Sequence, residues 1–331
     1  MGLTVGNAYY DVFGGGANVT IRPEVLIDGV TLIVSDLDRA EDDYVRTFGC
    51  SVEKRADIEP ALTRVLCMRD SRGRRSSLRL GHERIDLLEF ADTAGRPYPP
   101  DSTSTDIWFQ HMAIVVDDMT HAHERVMANS RFRPISRHGP VRLPDNAGGV
   151  TAFKFRDHDG HPLELLEFPE RQVPKRWRNA HGAFSFLGID HTAIAIRDSA
   201  NSARFFRSVF GFSVGTSTEN RGPEQADLDN VEDVHVSITR LGPDLPAPQL
   251  ELLRYHVGPR RLIPHDTSCN DILATHCVLQ VASLDATAAA LARRGTPLAE
   301  KDLMTLHGGI RAALVPGPDS HRFLVEEPGS G

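Results

Sequence analysis

The feature that most constrains this chain is a segment pattern that occurs four times. An apolar strand-like stretch runs to a polar residue, a helix-like stretch follows, and about fifty residues later comes a strand with an acidic or apolar companion position. The four starts read IDG-VTLIVSD (Gly29 to Asp36), FQH-MAIVVDD (His111 to Asp118), IDH-TAIAIRD (His191 to Asp198) and ATH-CVLQVAS (His276 to Ser283). One slot thus holds Gly29, His111, His191 and His276, spaced 82, 80 and 85 residues apart. A repeat of this kind sets the fold, because each copy is one supersecondary unit that cannot bury its apolar face alone.

Each copy parses the same way. After the first strand, the stretches beginning at Asp36, Asp118, Asp198 and Ser283 carry Asp or Ser as N-cap, and most end at Gly or a polar break, which is helix punctuation. Ala203, Phe206, Val209 and Phe210 fall on one face at helical spacing. Strand pairs follow, as in VTAFKFRD and HPLELLEF around the turn HDG. The expected fold class is α+β, with four βαβββ units paired into two cupped sheets. The stretch from Gly148 resembles that from Gly308 at an offset of 160, which pairs units 1 with 2 and 3 with 4. The expected domains are an N-terminal extension over 1–24, a first paired domain over 25–169, a linker over 170–186 and a second paired domain over 187–331.

Composition excludes several function classes. With 331 residues there is length for two full cores. A net charge of −8 argues against nucleic acid or an anionic membrane surface as partner. The cluster Arg69, Arg72, Arg74 and Arg75 reads as a solvated hairpin tip. No apolar run approaches the ~20 residues of a membrane helix, and no signal peptide is evident. Cys50, Cys67, Cys269 and Cys277 form no CxxC, which fits a reducing cytoplasm. Gly14-Gly15-Gly16 lacks the Lys and the strand-to-helix frame of a phosphate loop and reads as part of a flexible extension.

The chemistry concentrates in two slots per unit. Aligned by its hairpin, the last strand offers Asp86, Glu164, Glu251 and Leu324. Both slots are expected to face the concave surface. The first half then presents Gly29, Asp86, His111 and Glu164, and the second presents His191, Glu251, His276 and Leu324: three ligands and one blank in each cup. Neutral imidazole and carboxylate suit a divalent transition metal, and an acid in an apolar strand is costly unless something pairs with it. One strand histidine is ordinarily structural, so it is the recurrence that points to a metal. His307, before Gly308-Gly309, is a further acid or base candidate. Lys154 and Arg156 read as outward-facing. His121, His123, His138, His158, His161, His181 and His321 read as solvated.

These units and phrases such as VSDLDRAEDDYVRTFGC and FRDHDGHPLELLEF resemble the vicinal oxygen chelate superfamily over nearly all of Leu26 to Pro328. That superfamily includes glyoxalase I, methylmalonyl-CoA epimerase, bleomycin-resistance proteins and type I extradiol dioxygenases. The resemblance implies metal ligation by His111, Glu164, Asp86, His191, His276 and Glu251. The four-unit length is similar to the extradiol dioxygenases and to the cyclitol epimerases that act on 2-epi-5-epi-valiolone. Leu324 stands where an extradiol dioxygenase has its carboxylate. Three functions follow as expectations. The first is a metal-dependent isomerase or epimerase of a small hydroxy-ketone, sugar- or cyclitol-like, using Zn, Mn, Ni or Co and Glu164, Glu251 or His307 as base. The second is an Fe(II) extradiol dioxygenase. The third is a metal-free small-molecule binding protein. A small-molecule substrate and a possible homodimer complete the reading.

Overall fold

The computed structural model describes residues 25–68, 71–91, 95–180, 183–243, 248–258 and 260–329. The expected extension over 1–24, with Gly14 to Gly16, lies outside the described residues, as do Arg69 and His181.

Four βαβββ units are present. Unit 1 comprises β1 (Val25–Ile33), α1 (Leu37–Phe48), β2 (Ser51–Asp57), α2 (Pro60–Val65), β3 (Gly73–Leu80) and β4 (Glu83–Phe90). Unit 2 comprises β5 (Phe109–Val116), α3 (Met119–Ala128), the short β6 (Arg133–Pro134) and β7 (Val141–Arg142), then β8 (Thr151–Arg156) and β9 (Pro162–Glu167). Unit 3 comprises β10 (Phe186–Ala195), α4 (Ser199–Phe210), β11 (Ser213–Arg221), α5 (Pro223–Asp229), β12 (His235–Gly242) and β13 (Gln249–Tyr255). Unit 4 comprises β14 (His276–Val281), α6 (Leu284–Arg293), β15 (Met304–Thr305), β16 (Arg311–Pro316) and β17 (Arg322–Glu327). The side chains of Asp36, Asp118, Asp198 and Ser283 each accept a hydrogen bond from the backbone N–H three residues on, so all four expected N-caps form. Gly49 and Gly211 end α1 and α4 in the left-handed conformation.

The pairing of units differs from the expectation. One eight-stranded sheet runs β15-β16-β17-β14-β1-β4-β3-β2, and one nine-stranded sheet runs β11-β12-β13-β10-β5-β9-β8-β6 with β7 on β8. Unit 1 therefore shares a sheet with unit 4, and unit 2 with unit 3. Each junction is an antiparallel pair of first strands, β1 with β14 and β5 with β10. The likeness at offset 160 relates units 2 and 4, which hold equivalent places in different sheets. Similarity of sequence reports equivalence here, not adjacency.

The segment read as a linker is docked. Trp177 is buried and its Nε1 donates to Asp190 Oδ1 at 3.1 Å, while Arg176 pairs with Glu83, which also accepts from the Ile189 N–H at 2.9 Å. The outer faces of both sheets and the helices α1, α3, α4 and α6 contribute to one apolar core, including Phe48, Phe155, Phe186, Phe206 and Phe323. Among the described residues no helix is long and apolar enough to cross a membrane. All four cysteines are unpaired. The arginine cluster is solvated at Arg72 and Arg74 but is not a hairpin tip: Arg74 and Arg75 lie in β3, where Arg74 bonds Glu89 and Asp38 and Arg75 bonds Asp86.

The register explains the blank first slot. Gly29 sits at an irregularity of the β1–β14 ladder, beside Arg84 of β4. A Cβ there would lie 1.9 Å from the Arg84 carbonyl oxygen. Only glycine fits without moving the strand. Gly29→Ala is expected to cost about 1–3 kcal/mol, the range for overpacking, read as a lowered denaturation midpoint.

Candidate metal centre

The slot alignment holds in all four units. Two residues after the first-strand slot, Thr31, Ala113, Ala193 and Val278 pair in parallel with Asp86, Glu164, Glu251 and Leu324. Because unit 2 pairs with unit 3, the filled slots fall together. His111, Glu164, His191 and Glu251 line one cavity of about 410 Å³. Asp86 and His276 go to the other sheet. The expectation of three ligands and one blank per cup is thus corrected to one complete set and one depleted set.

The complete set is tightly organised. His111 Nε2 lies 3.0 Å from His191 Nε2. Glu164 Oε2 is 3.2 Å from His111 Nε2, and Glu251 Oε2 is 3.5 Å from His191 Nε2. All four residues are buried, at 7% exposure or less. The far nitrogen of each ring is held: His111 Nδ1 donates to Gln110 Oε1, and His191 Nδ1 donates to Asp190 Oδ2 at 3.1 Å. Both Nε2 atoms are thereby aimed at one point, the arrangement that orients metal-ligating imidazoles.

Fixed charges surround this point. Arg240 Nε donates to Glu251 Oε1 at 2.8 Å. Lys154 is 3% exposed, faces the cavity and lies 3.7 Å from Glu164 Oε2. Its Nζ donates to Asp229 Oδ1 at 2.6 Å, and Tyr255 OH donates to Asp229 Oδ2 at 3.1 Å. Lys154 is not outward-facing as expected; a buried ammonium is tolerated because two carboxylates flank it. Burial holds His111 well below the ordinary histidine value, helped by the charge of Lys154. Burial also opposes charge on His191, but Glu251 and Asp190 outweigh it and raise its pKa. Burial raises Glu164, only partly countered by Lys154. Burial acts on Glu251 in the same direction, yet His191 and Arg240 prevail and lower it. Despite burial, the hydrogen bond and the charge of His191 hold Asp190 at about 2.

The donor set fits a divalent transition ion. The two Nε2 atoms stand 3.0 Å apart, close enough for one ion to reach both at ordinary metal–imidazole distances of about 2.0–2.1 Å. Without an ion, one proton must bridge the two nitrogens, so loading releases that proton. His111, His191 and Glu251 would hold the ion, with Glu164 at its edge.

The other sheet cannot repeat this. Asp86 is consumed by Arg75, with bonds of 2.8 and 3.1 Å, by Ser77 at 2.7 Å and by Arg84 at 3.2 Å. Leu324, Val278, Leu88 and Ile33 pack against Leu62, Leu66, Ile272 and Leu273, which fill the cup. His276 is buried, with Nδ1 3.4 Å from the Arg322 carbonyl and Nε2 unpartnered. His307 lines a separate cavity of about 280 Å³ with Lys54, Asp57, Glu59, Arg75 and Ser77. Its backbone N–H donates to Glu59 Oε2 at 2.8 Å. The histidines read as solvated include two that are buried: His161, bonded to Asp157, and His321, bonded to the Ala195 carbonyl.

Burial holds the pKa of His276 down at about 4. A folded-state value below the unfolded ~6.5 stabilises the fold above that pH, and the contribution is lost as pH falls from ~6.5 towards 4. The loss is on the order of 3 kcal/mol. The denaturation midpoint of the wild type is expected to fall as pH is lowered across this window, and His276→Leu to flatten that share of the slope.

Sequence reasoning missed Lys154, Asp229, Arg240, Gln110 and Asp190. For the last two a signal existed: the repeats read FQH and IDH, with an acceptor immediately before each ligating slot.

The comparisons agree with this architecture. No curated protein sequence matches the chain. By structure it is similar to glyoxalase I from Zea mays, with 14% identity, a TM-score of 0.61 and coverage of 92% of each chain. It is also similar to a putative dioxygenase from Bacillus subtilis, with 13% identity, a TM-score of 0.55 and coverage of 94% of this chain and 87% of that one. At such identities the likeness is one of fold. The model of the Glyoxalase/Bleomycin resistance protein/Dioxygenase superfamily matches residues 26–165 and 188–325. With both matches together covering most of its length, the chain belongs to that superfamily.

Proposed function

We propose that the protein is a metal-dependent isomerase or epimerase of a small hydroxy-ketone, working at His111, Glu164, His191 and Glu251. The observation that carries this reading is the convergence of the four slots of units 2 and 3 on one buried point in a cavity of about 410 Å³. A divalent ion bound there supplies positive charge where negative charge develops on a substrate oxygen. His111, His191 and Glu251 would hold it, two imidazoles and one carboxylate, which leaves positions open for substrate oxygens. Glu164 takes the proton from the carbon beside the carbonyl onto a carboxylate oxygen. Return by Glu164 to the neighbouring carbon, with the hydroxyl proton passing to the former carbonyl oxygen, gives isomerisation; delivery of a solvent proton to the opposite face of the first carbon, with Glu164 giving its proton up to solvent, gives epimerisation. Arg240 holds Glu251 in place, so Glu164 is the freer carboxylate. Lys154, 3.7 Å from Glu164 Oε2, holds that carboxylate beside the ion site. Thr216, Thr218, Asn220 and Gln225 line the cavity and suit substrate hydroxyls, while Leu143, Val150, Leu166 and Leu228 exclude water. The paired sheets are complete within one chain, so this centre needs no second copy.

The test is solvent deuterium uptake by ketoses and cyclitols with the metal-loaded protein. Incorporation beside the carbonyl is the expected result. A second reading, an Fe(II) ring-cleaving dioxygenase, draws on the grouping of His111, His191 and Glu251, two imidazoles and one carboxylate. Oxygen consumption with catechols by iron-loaded protein, without deuterium uptake, would select it instead.

A further inference from the structure

We propose a second transition-metal site on the outer wall of the cavity, formed by Glu219, His235 and His256. One ligand atom from each lies within 4.8 Å of the others. The residues come from three neighbouring pieces of chain. Glu219 is on β11, His235 opens β12, and His256 follows β13, with its N–H donating to the His235 carbonyl at 2.8 Å. The two imidazoles stack with centroids 4.2 Å apart and planes 24° from parallel. Glu219 Oε2 is 2.6 Å from His235 Nε2, and Ser237 Oγ is 2.6 Å from His256 Nε2.

Two stacked imidazoles gain little from each other and repel if both are charged. Sharing an ion with the adjacent carboxylate turns this arrangement into a favourable one. Two imidazoles and a single carboxylate select a zinc- or nickel-like ion over magnesium or calcium, which take oxygen ligands. Arg254 and Arg260 are close enough to weaken the attraction of any cation here, so affinity must come from nitrogen ligation.

The location gives the site a consequence. β11 is the edge strand of its sheet. Thr216, Thr218 and Asn220 line the cavity, and alternation turns Glu219 to the reverse face. An ion there would tie the edge strand to β12 and to the chain after β13, stiffening one cavity wall.

The experiment starts from full-length protein already loaded at the buried centre and titrates zinc, with magnesium as control. Zinc is expected to bind as one further equivalent, to shift the ring resonances of His235 and His256, and to slow amide exchange across residues 213–221. His235→Ala and His256→Ala should each abolish that equivalent. His111→Ala should keep the surface equivalent while losing the buried one, so failure at either centre is read separately. The proposal is overturned if the loaded wild type takes no further zinc, or if the His235→Ala/His256→Ala double variant still takes it.

Discussion

His191→Ala is expected to lower turnover by on the order of 10³-fold, while His276→Ala leaves it within about twofold. The two histidines occupy the same repeat slot, so the contrast follows only from their surroundings. His191 Nε2 faces His111 Nε2 at 3.0 Å and has Glu251 beside it, with Asp190 fixing the other ring nitrogen. Removing it takes one of two imidazoles from the ion and leaves Asp190 and Glu251 with an unbalanced charge. His276 faces an apolar cup, and its companion Leu324 offers no ligand. Steady-state rates with metal-saturated protein check both, and circular dichroism checks that each variant is folded. Equal losses in the two variants would place the chemistry elsewhere.

Glu164→Gln has the second largest expected effect. A loss of ~10²–10⁴-fold in kcat, the usual worth of a positioned base, should accompany retained metal. Glutamine keeps the shape and one oxygen but cannot take the proton. The geometry separates the two acids: Glu251 groups with both imidazoles and is held by Arg240, whereas Glu164 stands beside Lys154. Glu251→Gln should therefore lower metal content more than Glu164→Gln does. If Glu164→Gln turns over normally while exchanging solvent deuterium, the base is another group.

Much of this was legible in the sequence because it repeats. Local signals gave the units: Asp36, Asp118, Asp198 and Ser283 announce four helices, and the hairpins align the companion slots. The parallel pairing of Ala113 with Glu164 and Ala193 with Glu251 shows that alignment to the residue. What the sequence did not carry was which unit sits beside which. Antiparallel contact of β5 with β10 is a long-range choice, and it moved His276 and Asp86 away from His191 and His111. The same choice put Lys154 inside: its neighbours, Asp229 and Tyr255, belong to unit 3, so strand alternation within unit 2 could not reveal the partner that makes its burial tolerable. Gly29 was visible as a blank, but its cause, the Arg84 carbonyl, appears only in the ladder.

The pairing of units 2 and 3 around one centre is tested most directly by tightly held metal per chain in His111→Ala and His276→Ala, after loosely bound ions are removed by gel filtration with a mild chelator. Measured in the His235→Ala/His256→Ala background, so that the surface site does not count, His276→Ala should retain one equivalent and His111→Ala should hold none. Metal lost from His276→Ala and kept by His111→Ala would contradict the account.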